Sequence, residues 1–247
     1  MDHSLYIAMS GAKQTMLAQG INANNLANLT TVGFRADLAS VQSLEVDGVG
    51  LPTRVNSVVS SNGTDFSEGG LNFTNRELDF AINGAGWFAV EGKNGEEAYT
   101  RAGDLRVNNL GQLTTGAGLL VKGDGGPIAI PPFEKLEIGK DGTVSIRAVG
   151  QAANSLQLVD RVKLVNPSNE DLVKGRDGLF RLRDGDTAVP DASVTLVSGA
   201  LESSNVNAVS TLINTITLAR EFEAHIKVIE TAQQNDSTAT QLLRISS

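Results

Sequence analysis

The two ends of the chain carry the hydrophobic periodicity of helices, and the sequence between them does not. Residues 4–28 and 205–245 have apolar side chains at intervals of three and four, which is typical of amphipathic helices. Between them, short apolar runs alternate with glycine-containing turns, which indicates antiparallel strands. The sequence therefore predicts a mainly β central domain, with N- and C-terminal α-helices that pair as a coiled-coil-like terminal domain.

The N-terminal stripe is too polar to form a stable helix by itself. Its members are spaced alternately by four and three residues and are Leu5, Met9, Ala12, Met16, Gln19, Ala23 and Leu26. Because Gln19 interrupts the stripe and several asparagines flank it, an isolated helix would bury little apolar area and would be marginal in water. We therefore expect this helix to pack against a second one.

The C-terminal segment offers that second helix. Its apolar positions form two slightly offset stripes, which are Leu212, Ile216 and Ala219, then Phe222, Ile226 and Ile229. Farther along, the same face is occupied by Gln233, Asp236 and Thr240 before Leu243. Polar residues there disfavour a permanently closed, dry helix pair, and they can fix register and partner choice. The alternative is a pair of ordinary surface helices packed on the central sheet.

Local signals divide the chain into four segments. These are residues 1–36, an N-terminal helix and turn; 37–80, an extended connector with short strands; 81–203, a β-rich body; and 204–247, the C-terminal helix. The first helix is expected to end near Asn28, because β-branched residues follow and Gly33 can adopt the positive φ of a tight reversal. The cluster from Ser203 to Asn205 is a candidate N-cap for the second helix, with a polar loop as the alternative.

Strand-like runs recur through the central part of the chain, separated by glycine-containing turns. The predicted strands are 87–90, 98–107, 119–122, 128–130, 135–138, 143–147, 161–165, 179–182 and 194–197. This pattern indicates an all-β body.

Charge and cysteine content exclude several classes of protein. The formal net charge of −8 lies in the middle of the chain, because both ends are nearly neutral, and nucleic-acid binding requires a basic surface. Without cysteine there is neither a disulfide framework nor a thiolate metal site. The N-terminus lacks a basic stretch followed by an apolar core, so we expect no cleaved signal peptide, and no apolar run reaches the ~20 residues of a membrane span.

The sequence contains no recognisable catalytic, cofactor-binding or metal-binding motif, and we expect no enzyme activity and no cofactor. Only His3 and His225 carry imidazoles, and the glycine pairs lack the spacing of a dinucleotide or phosphate loop. Two alternatives stay open. One is a cell-envelope carbohydrate-binding β domain, for which one Trp and two Tyr supply few aromatic side chains; the other is an envelope enzyme such as a wall hydrolase.

Motifs at both ends and in the middle resemble one known family. At the N-terminus these are Asn24-Asn25-Leu26-Ala27-Asn28 and Gly33-Phe34-Arg35. At the C-terminus they are Ser204-Asn205-Val206-Asn207, Ala219-Arg220, Phe222-Glu223-Ala224 and the run from Lys227 to Ala232. The central matches are Leu78 to Gly84, Gly86-Trp87-Phe88, Tyr99 to Gly103 and Gly111-Gln112-Leu113. Together they resemble the rod and hook subunits of the bacterial flagellar basal body.

Within that family the sequence is most similar to proximal-rod subunits, and distal-rod subunits are the near neighbours. The similarity to proximal-rod subunits rests on the first six residues, the length of the chain and the stretch at 46–54. Ala102 departs from the wider pattern, since many members carry a polar residue there. This departure bears on the subtype and leaves the family unaffected.

The resemblance implies a structural role in a helical assembly. Terminal segments of such subunits order as paired helices during assembly and line an inner tube, while the β body forms the outer shell. The implied partners are other copies of the chain, other proximal- and distal-rod proteins, and the flagellar type III export apparatus. The implied location is the periplasmic rod, reached from the cytoplasm without a cleaved signal peptide, where the subunit transmits torque.

We predict an assembly interface on the terminal segments. Its expected residues are Leu5, Met9, Met16, Asn25, Leu26, Asn28, Phe34, Arg35, Ile216, Phe222, Ile226 and Ile229. Packing within one molecule is the alternative for each of them, because a core helix shows the same apolar spacing.

Overall fold

The computed structural model describes residues 3–45, 55–151 and 155–245, and it contains two compact units. The helical unit comprises Met1–Leu29, Ala36–Asp65 and Val206–Ser247. The β body comprises Thr30–Arg35 and Phe66–Asn205. This division differs from the four predicted segments, because residues 37–80 are shared between the units and the turn at 30–35 lies in the β body. The stretch at 46–54, which contributed to the subtype resemblance, lies outside the described residues.

The helical unit contains two helices and one β-hairpin. Helix α1 (His3–Ala27) and helix α2 (Ala208–Ile245) confirm the prediction of terminal helices, and α1 ends one residue before the predicted Asn28. Strands β1 (Asp37–Glu45) and β2 (Val55–Thr64) pair antiparallel, with a register shift between Ser40 and Val41. The sequence predicted only short strands here because this stretch lacks a clear apolar alternation. Neither described helix is apolar enough over a sufficient length to cross a membrane.

Asn207 is the N-cap of α2, which corrects the prediction of a cap at Ser203 to Asn205. Its Oδ1 atom accepts a hydrogen bond from the Ser210 backbone N–H at 3.1 Å, the usual geometry of an asparagine cap. Asn205 instead belongs to the β body, where its backbone N–H donates to the Phe34 carbonyl at 3.3 Å.

The β body is an antiparallel assembly of short strands. Its first eight strands are β3 (Leu71–Phe73), β4 (Phe80–Asn83), β5 (Trp87–Glu91), β6 (Glu97–Thr100), β7 (Leu105–Val107), β8 (Leu113–Thr115), β9 (Lys122–Gly123) and β10 (Gly126–Pro127). The remaining strands are β11 (Phe133–Ile138), β12 (Thr143–Ala148), β13 (Gln157–Arg161), β14 (Leu164–Val165), β15 (Leu172–Lys174), β16 (Phe180–Leu182), β17 (Thr195–Ser198) and β18 (Ala200–Glu202). The all-β prediction for this part of the chain is confirmed.

The strands form one five-stranded sheet, one three-stranded sheet and several two-stranded ribbons. The larger sheet has the order β14-β5-β6-β16-β15, and the smaller one has the order β11-β12-β13. Strand β18 pairs with β3 and β17 pairs with β4, so the C-terminal part of the body returns to its N-terminal part. These long-range pairings place Glu202 opposite Leu71, near the start of the body.

Four predicted strands differ in the structure. The run 161–165 is divided between β13 and β14, and the run 119–122 is a strand only at Lys122, where β9 begins. The run 98–107 is broken into β6 and β7, because Gly103 approaches the Phe80 carbonyl so closely that a Cβ atom would lie 1.7 Å from that oxygen. The run 128–130 forms only an isolated bridge between Ala129 and Gln112. Apolar composition alone does not distinguish a strand from a buried loop that crosses a core.

The two largest apolar clusters contribute most of the buried apolar side chains of the β body. The larger one contains Phe80, Phe88, Leu105, Leu113 and Ile146, all at most 1% exposed. The smaller one is built on Trp87 and Phe180, whose ring centroids lie 4.6 Å apart, with Phe66 packed against both rings. Full burial of each such side chain contributes about 1.5–3 kcal/mol, so these clusters dominate the stability of the body.

A buried ion cluster lies next to the smaller apolar cluster. The Glu97 carboxylate contacts Lys163 Nζ at 2.8 Å and Lys122 Nζ at 3.1 Å, and it accepts a hydrogen bond from the Tyr99 hydroxyl at 3.0 Å. Burial alone would raise the pKa of Glu97, but the hydrogen bonds from Lys163, Lys122 and Tyr99 lower it below the usual 4.5. Burial is also the main reason that the pKa of Tyr99 is raised to about 12, so its phenol stays protonated.

We expect Glu97→Gln to destabilise the β body by about 3 kcal/mol at pH 7, since it leaves two lysines without their buried counter-charge. A carboxyl group with a lowered folded-state pKa stabilises the protein above its unfolded pKa, and this contribution disappears as pH falls through the folded value. The difference between parent and variant should therefore shrink as the pH falls below 4.5. Urea unfolding at pH 7 and at lower pH measures this, and a gap that does not change with pH would contradict it.

Candidate assembly surface

Helices α1 and α2 pack antiparallel in the helical unit. Gly11 of α1 lies against His225 of α2, whereas Asn22 lies near the start of α2. The Asn22 amide nitrogen donates both to the Thr211 carbonyl at 2.8 Å and to the Thr215 hydroxyl oxygen at 2.7 Å. One asparagine thus binds two successive turns of the opposite helix, which fixes the register of the pair as buried amides do in coiled coils.

Small and polar residues form the seam between the helices. On α1 the most buried members of the seam are Ala8, Ala12 and Thr15, which are at most 8% exposed. On α2 buried or half-buried positions recur at intervals of three and four and are Ala208, Thr211, Thr215, Leu218, Phe222, His225, Ile229 and Ala232, with Ala219 half-buried beside Leu218. The heptad-like spacing predicted from the sequence is therefore present, at a different phase.

The predicted stripes are offset from this seam. Leu5, Ala12, Gln19 and Leu26 are buried or half-buried, but Met9, Met16 and Ala23 each lie one residue beyond a seam position and are exposed. On α2, Phe222 and Ile229 lie in the seam, and Leu212, Ile216 and Ile226 lie outside it. At Met9, Met16, Leu212 and Ile216 the prediction selected the larger apolar side chain, whereas the seam contains the smaller neighbour Ala8, Thr15, Thr211 or Thr215.

Gly11 shows how close that approach is. A Cβ atom at this position would lie 2.4 Å from His225 Cε1, so the imidazole rests directly on the backbone of α1. Neighbouring seam residues are alanine and threonine for the same reason, since larger side chains would hold the helices apart. Thr15 turns its hydroxyl inward to its own helix and donates to the Gly11 carbonyl at 3.0 Å.

We expect Gly11→Ala to weaken the helix pair by about 1–2 kcal/mol, because the added methyl group overlaps His225. The second change His225→Ala should recover part of this loss. Gly20→Ala is the matched control: a Cβ atom added there would have no other atom within 4 Å, so the change should stabilise α1 by about 0.5–1 kcal/mol through helix propensity. Thermal unfolding followed by far-ultraviolet circular dichroism measures all three, and equal effects at both glycines would contradict the close contact.

Large apolar side chains on both helices remain exposed. On α1 they are Tyr6, Ile7, Met9, Met16 and Leu17, and on α2 they are Val209, Leu212, Ile213, Ile216, Ile226 and Val228. Met16 is 64% exposed and Ile216 is 56% exposed. Large exposed apolar patches are uncommon on monomeric proteins and mark sites of protein association, so these side chains are candidates for contact with other subunits.

The last turns of α2 extend beyond the seam. Ala232 is the last buried residue among the α2 side chains that the structure describes, and the side chains of residues 233–238, 240 and 241 are exposed. Gln233, Asp236 and Thr240, which the sequence placed on the helix-pairing face, therefore have no seam contact in the described chain. The side chain of Leu243 is outside the described residues.

Asn25 and Asn28 make contacts within the helical unit. Asn25 is buried, and its amide donates to the Asp37 carbonyl at 2.8 Å while its Oδ1 accepts from the Asp37 N–H at 2.8 Å. The Asn25 side chain thus makes the same two hydrogen bonds to the Asp37 backbone that a residue of a paired strand would make. The Asn28 amide donates to the Asn24 carbonyl at 2.9 Å, near the end of α1. Asn25 is therefore poorly placed for contacts with another subunit.

Phe34 and Arg35 are also buried, within the β body, which favours the alternative of packing within one molecule, and their place in an assembly interface stays a prediction. Arg35 is 1% exposed and its Nη1 contacts Glu202 Oε1 at 2.7 Å. The Phe34 ring lies beneath Lys174 Nζ, 4.0 Å from the ring centroid. The polar and aromatic character of this motif serves packing inside the body, and a sequence motif cannot distinguish that use from an intermolecular one.

The sequence did not predict several residues that form the helix seam and the buried ion pairs. Glu202 and Arg101 form a buried ion pair at 3.1 Å although they are 101 positions apart, and no local pattern connects them. Gly11 and Asn22 carried a weak signal, since both interrupt an otherwise apolar helix. Trp87 and Tyr99 offer no exposed platform for sugar, because Trp87 is 3% exposed and Tyr99 is fully buried.

Family models match three parts of the chain. Residues 5–35 match the model described as flagella basal body rod protein, and residues 81–146 match the D1 domain of the flagellar hook protein FlgE/F/G. Residues 197–242 match the C-terminal model of the flagellar basal body rod FlgEFG proteins. The first and last matches include most of α1 and α2, and the central match lies in the β body.

Full-length relatives agree with these matches. The chain is 41% identical to the flagellar basal-body rod protein FlgF of Escherichia coli (strain K12) over 100% of both chains. It is 40% identical to FlgF of Salmonella typhimurium, again over 100% of both. Identity to the rod protein FlgG of Caulobacter vibrioides is 33%, covering 97% of this chain and 98% of that one. The chain therefore belongs to the family of flagellar basal-body rod proteins.

Proposed function

We propose that this protein is a structural subunit of the proximal rod of the bacterial flagellar basal body. The observation that carries the proposal is the set of large apolar side chains left exposed on α1 and α2. Two relatives that match over their full length are named FlgF, flagellar basal-body rod proteins. A subunit with this surface gains stability by packing its helices against neighbours.

Assembly proceeds through the exposed flanks of the helices. The partners are other copies of the chain and other rod proteins. Met9, Met16, Ile216 and Ile226 are available for such contacts, because each lies outside the seam of the helix pair. Burial of each side chain contributes about 1.5–3 kcal/mol, so a few of them per neighbour offset the entropy lost on association. The exposed polar end of α2 favours contacts that depend on the identity of the neighbour.

The role is mechanical rather than catalytic. The subunit is exported through the flagellar type III apparatus without a cleaved signal peptide, joins the rod in the periplasm and transmits torque. The densely packed antiparallel body suits this role, because close-packed cores have low compressibility and transmit strain. Motility then depends on this protein through the integrity of the rod.

A distal-rod subunit is the second candidate. The observation that favours it is the 33% identity to FlgG of Caulobacter vibrioides over nearly the whole chain. The identity to FlgF proteins of Escherichia coli and Salmonella typhimurium is higher, at 41% and 40%. We therefore place the distal rod second.

Localisation in purified basal bodies tests the proposal. An epitope-tagged copy would be expressed in place of the native gene, and alkali-washed basal bodies would be analysed by mass spectrometry and by immunogold electron microscopy. Label on the shaft next to the inner-membrane ring is the expected result. Label confined to the distal shaft would favour the second candidate, and absence from otherwise complete rods would refute both.

A further inference from the structure

A buried ion cluster of Arg35, Arg101 and Glu202 lies in the β body, and nothing in the rod-subunit role described above requires it. Glu202 Oε1 contacts Arg35 Nη1 at 2.7 Å, and Glu202 Oε2 contacts Arg101 Nη1 at 3.1 Å. All three side chains are at most 4% exposed. One carboxylate therefore bridges two guanidinium groups from segments that are far apart in the sequence.

Glu202 is the carboxylate that contacts both guanidinium groups of the cluster. Two buried cations share one carboxylate, and within the described chain the Nε and Nη2 atoms of Arg35 and the Nε atom of Arg101 donate no hydrogen bond. The Trp87 ring partly compensates, since its centroid lies 5.9 Å from Arg35 Cζ and 5.3 Å from Arg101 Cζ. Burial lowers the pKa of Arg101 from its ordinary value, and the charge of Glu202 opposes that effect. Loss of the Glu202 charge would leave both buried cations without a contacting counter-charge, because Glu68, the other carboxylate that acts on Arg101, is exposed.

Glu202 also joins its own segment to the backbone of two others. Its carbonyl accepts from the Gly33 N–H at 2.8 Å, and its Oε1 accepts from the Gly69 N–H at 2.9 Å. Arg35 in turn donates to the Ser67 carbonyl at 2.6 Å, and the Asn205 N–H donates to the Phe34 carbonyl at 3.3 Å. We name residues 30–35, 66–73 and 200–205 the terminal collar. They are the places where the chain enters and leaves the β body.

The large apolar cluster of the body lies outside this collar. Examples are Leu113 in β8, Val121 just before β9, and Ile146 in β12. None of the residues of that cluster belongs to the terminal collar. Because this cluster and the collar share no residues, the collar can open while the core stays closed.

We propose that Glu202 is a latch that holds the terminal collar closed, and that the collar can open while the core of the β body stays folded. The carboxylate joins Arg35, Arg101 and Gly69, and it thereby fixes the N-terminal turn to the C-terminal strand of the body. Because both buried guanidinium groups depend on this carboxylate for a contacting counter-charge, the collar opens more readily than the core.

Amide hydrogen exchange of the full-length variant Glu202→Gln tests the latch. We expect the Gly33, Gly69 and Asn205 amides to exchange on the order of 100-fold faster than in the parent, since removal of one partner of a buried ion pair is strongly destabilising. The core amides of Leu113 and Val121, which donate to Ile128 and Leu113 carbonyls, should change much less. Trp87 is the only tryptophan, so its fluorescence should report the open collar as a shift to longer wavelength.

Glu97→Gln is the matched control, because it removes another buried carboxylate that contacts two cations. It should leave the collar amides protected relative to the core. Uniform acceleration of collar and core in Glu202→Gln, or the same collar opening in Glu97→Gln, would overturn the proposal. If Glu202→Gln does not fold, Glu202→Asp keeps the charge but shortens the side chain, and the same comparison of collar with core amides decides the question.

Discussion

Replacing Gly33 with alanine should destabilise the β body by about 3 kcal/mol or more. Gly33 has φ +66°, a conformation that costs other residues roughly 1–2 kcal/mol. In addition, the new Cβ atom would lie 2.4 Å from the Arg101 carbonyl carbon and 2.6 Å from the Ala102 nitrogen. Both are backbone atoms, so the overlap cannot be relieved by a rotamer change. The melting temperature, followed by Trp87 fluorescence, should fall by about 10 °C.

Gly84 provides the matched control for this substitution. It has φ +78°, but a Cβ atom added there would have no other atom within 4 Å. Gly84→Ala therefore carries the conformational cost alone, about 1 kcal/mol, and should lower the melting temperature by only a few degrees. Equal losses at the two positions would mean that the contact with the backbone at Arg101 contributes nothing.

Replacing Ile216 with aspartate should abolish rod assembly and motility while leaving the subunit folded. Ile216 is 56% exposed and lies outside the seam of the helix pair, so a polar side chain there costs the isolated subunit little. In an assembled rod the same position would place a charge in an apolar contact, and burial of an unpaired charge is strongly unfavourable. Ile216 is a sharper test than Ile226, which is 37% exposed and closer to the seam.

The measurement compares rods and motility in cells that express the variant in place of the parent chain. Asn214→Asp is the control, since it adds the same charge to an exposed position of α2. The control should assemble, and both purified variants should keep the circular dichroism and melting temperature of the parent. Normal motility of Ile216→Asp would remove this flank of α2 from the interface, and unfolding of the purified variant would mean that Ile216 stabilises the subunit itself.

The offset of the helix seam shows where sequence reasoning reaches its limit. Periodicity correctly predicted two terminal helices, and the heptad-like spacing was present in both. The phase was wrong at Met9 and Met16, because a pattern search favours the largest apolar residue. The structure instead places Ala8 and Thr15 in the seam, where Gly11 lets the backbone of α1 touch His225. Seam phase depends on the surface of the opposite helix, which a single segment does not contain.

Arg35 illustrates the same limit for the motif at the end of α1. Local sequence correctly predicted a reversal at Gly33, whose φ is positive. It could not predict that Arg35 is buried against Glu202, because that pairing joins residues separated by most of the chain. The role of a charged residue depends on whether a counter-charge lies beside it, and that depends on the completed fold.

The sequence by itself determined the order of the elements, the end of α1, the turn at Gly33 and the family of the protein, because each depends on local spacing, backbone preference or shared motifs. Only the tertiary structure decided which helix faces are buried, which are left for neighbours, and how Glu202 joins Arg35 to Arg101. These features arise from contacts between segments that are distant in the chain. Their free energy depends on complementary surfaces and charges, which exist only when both partners have been brought together.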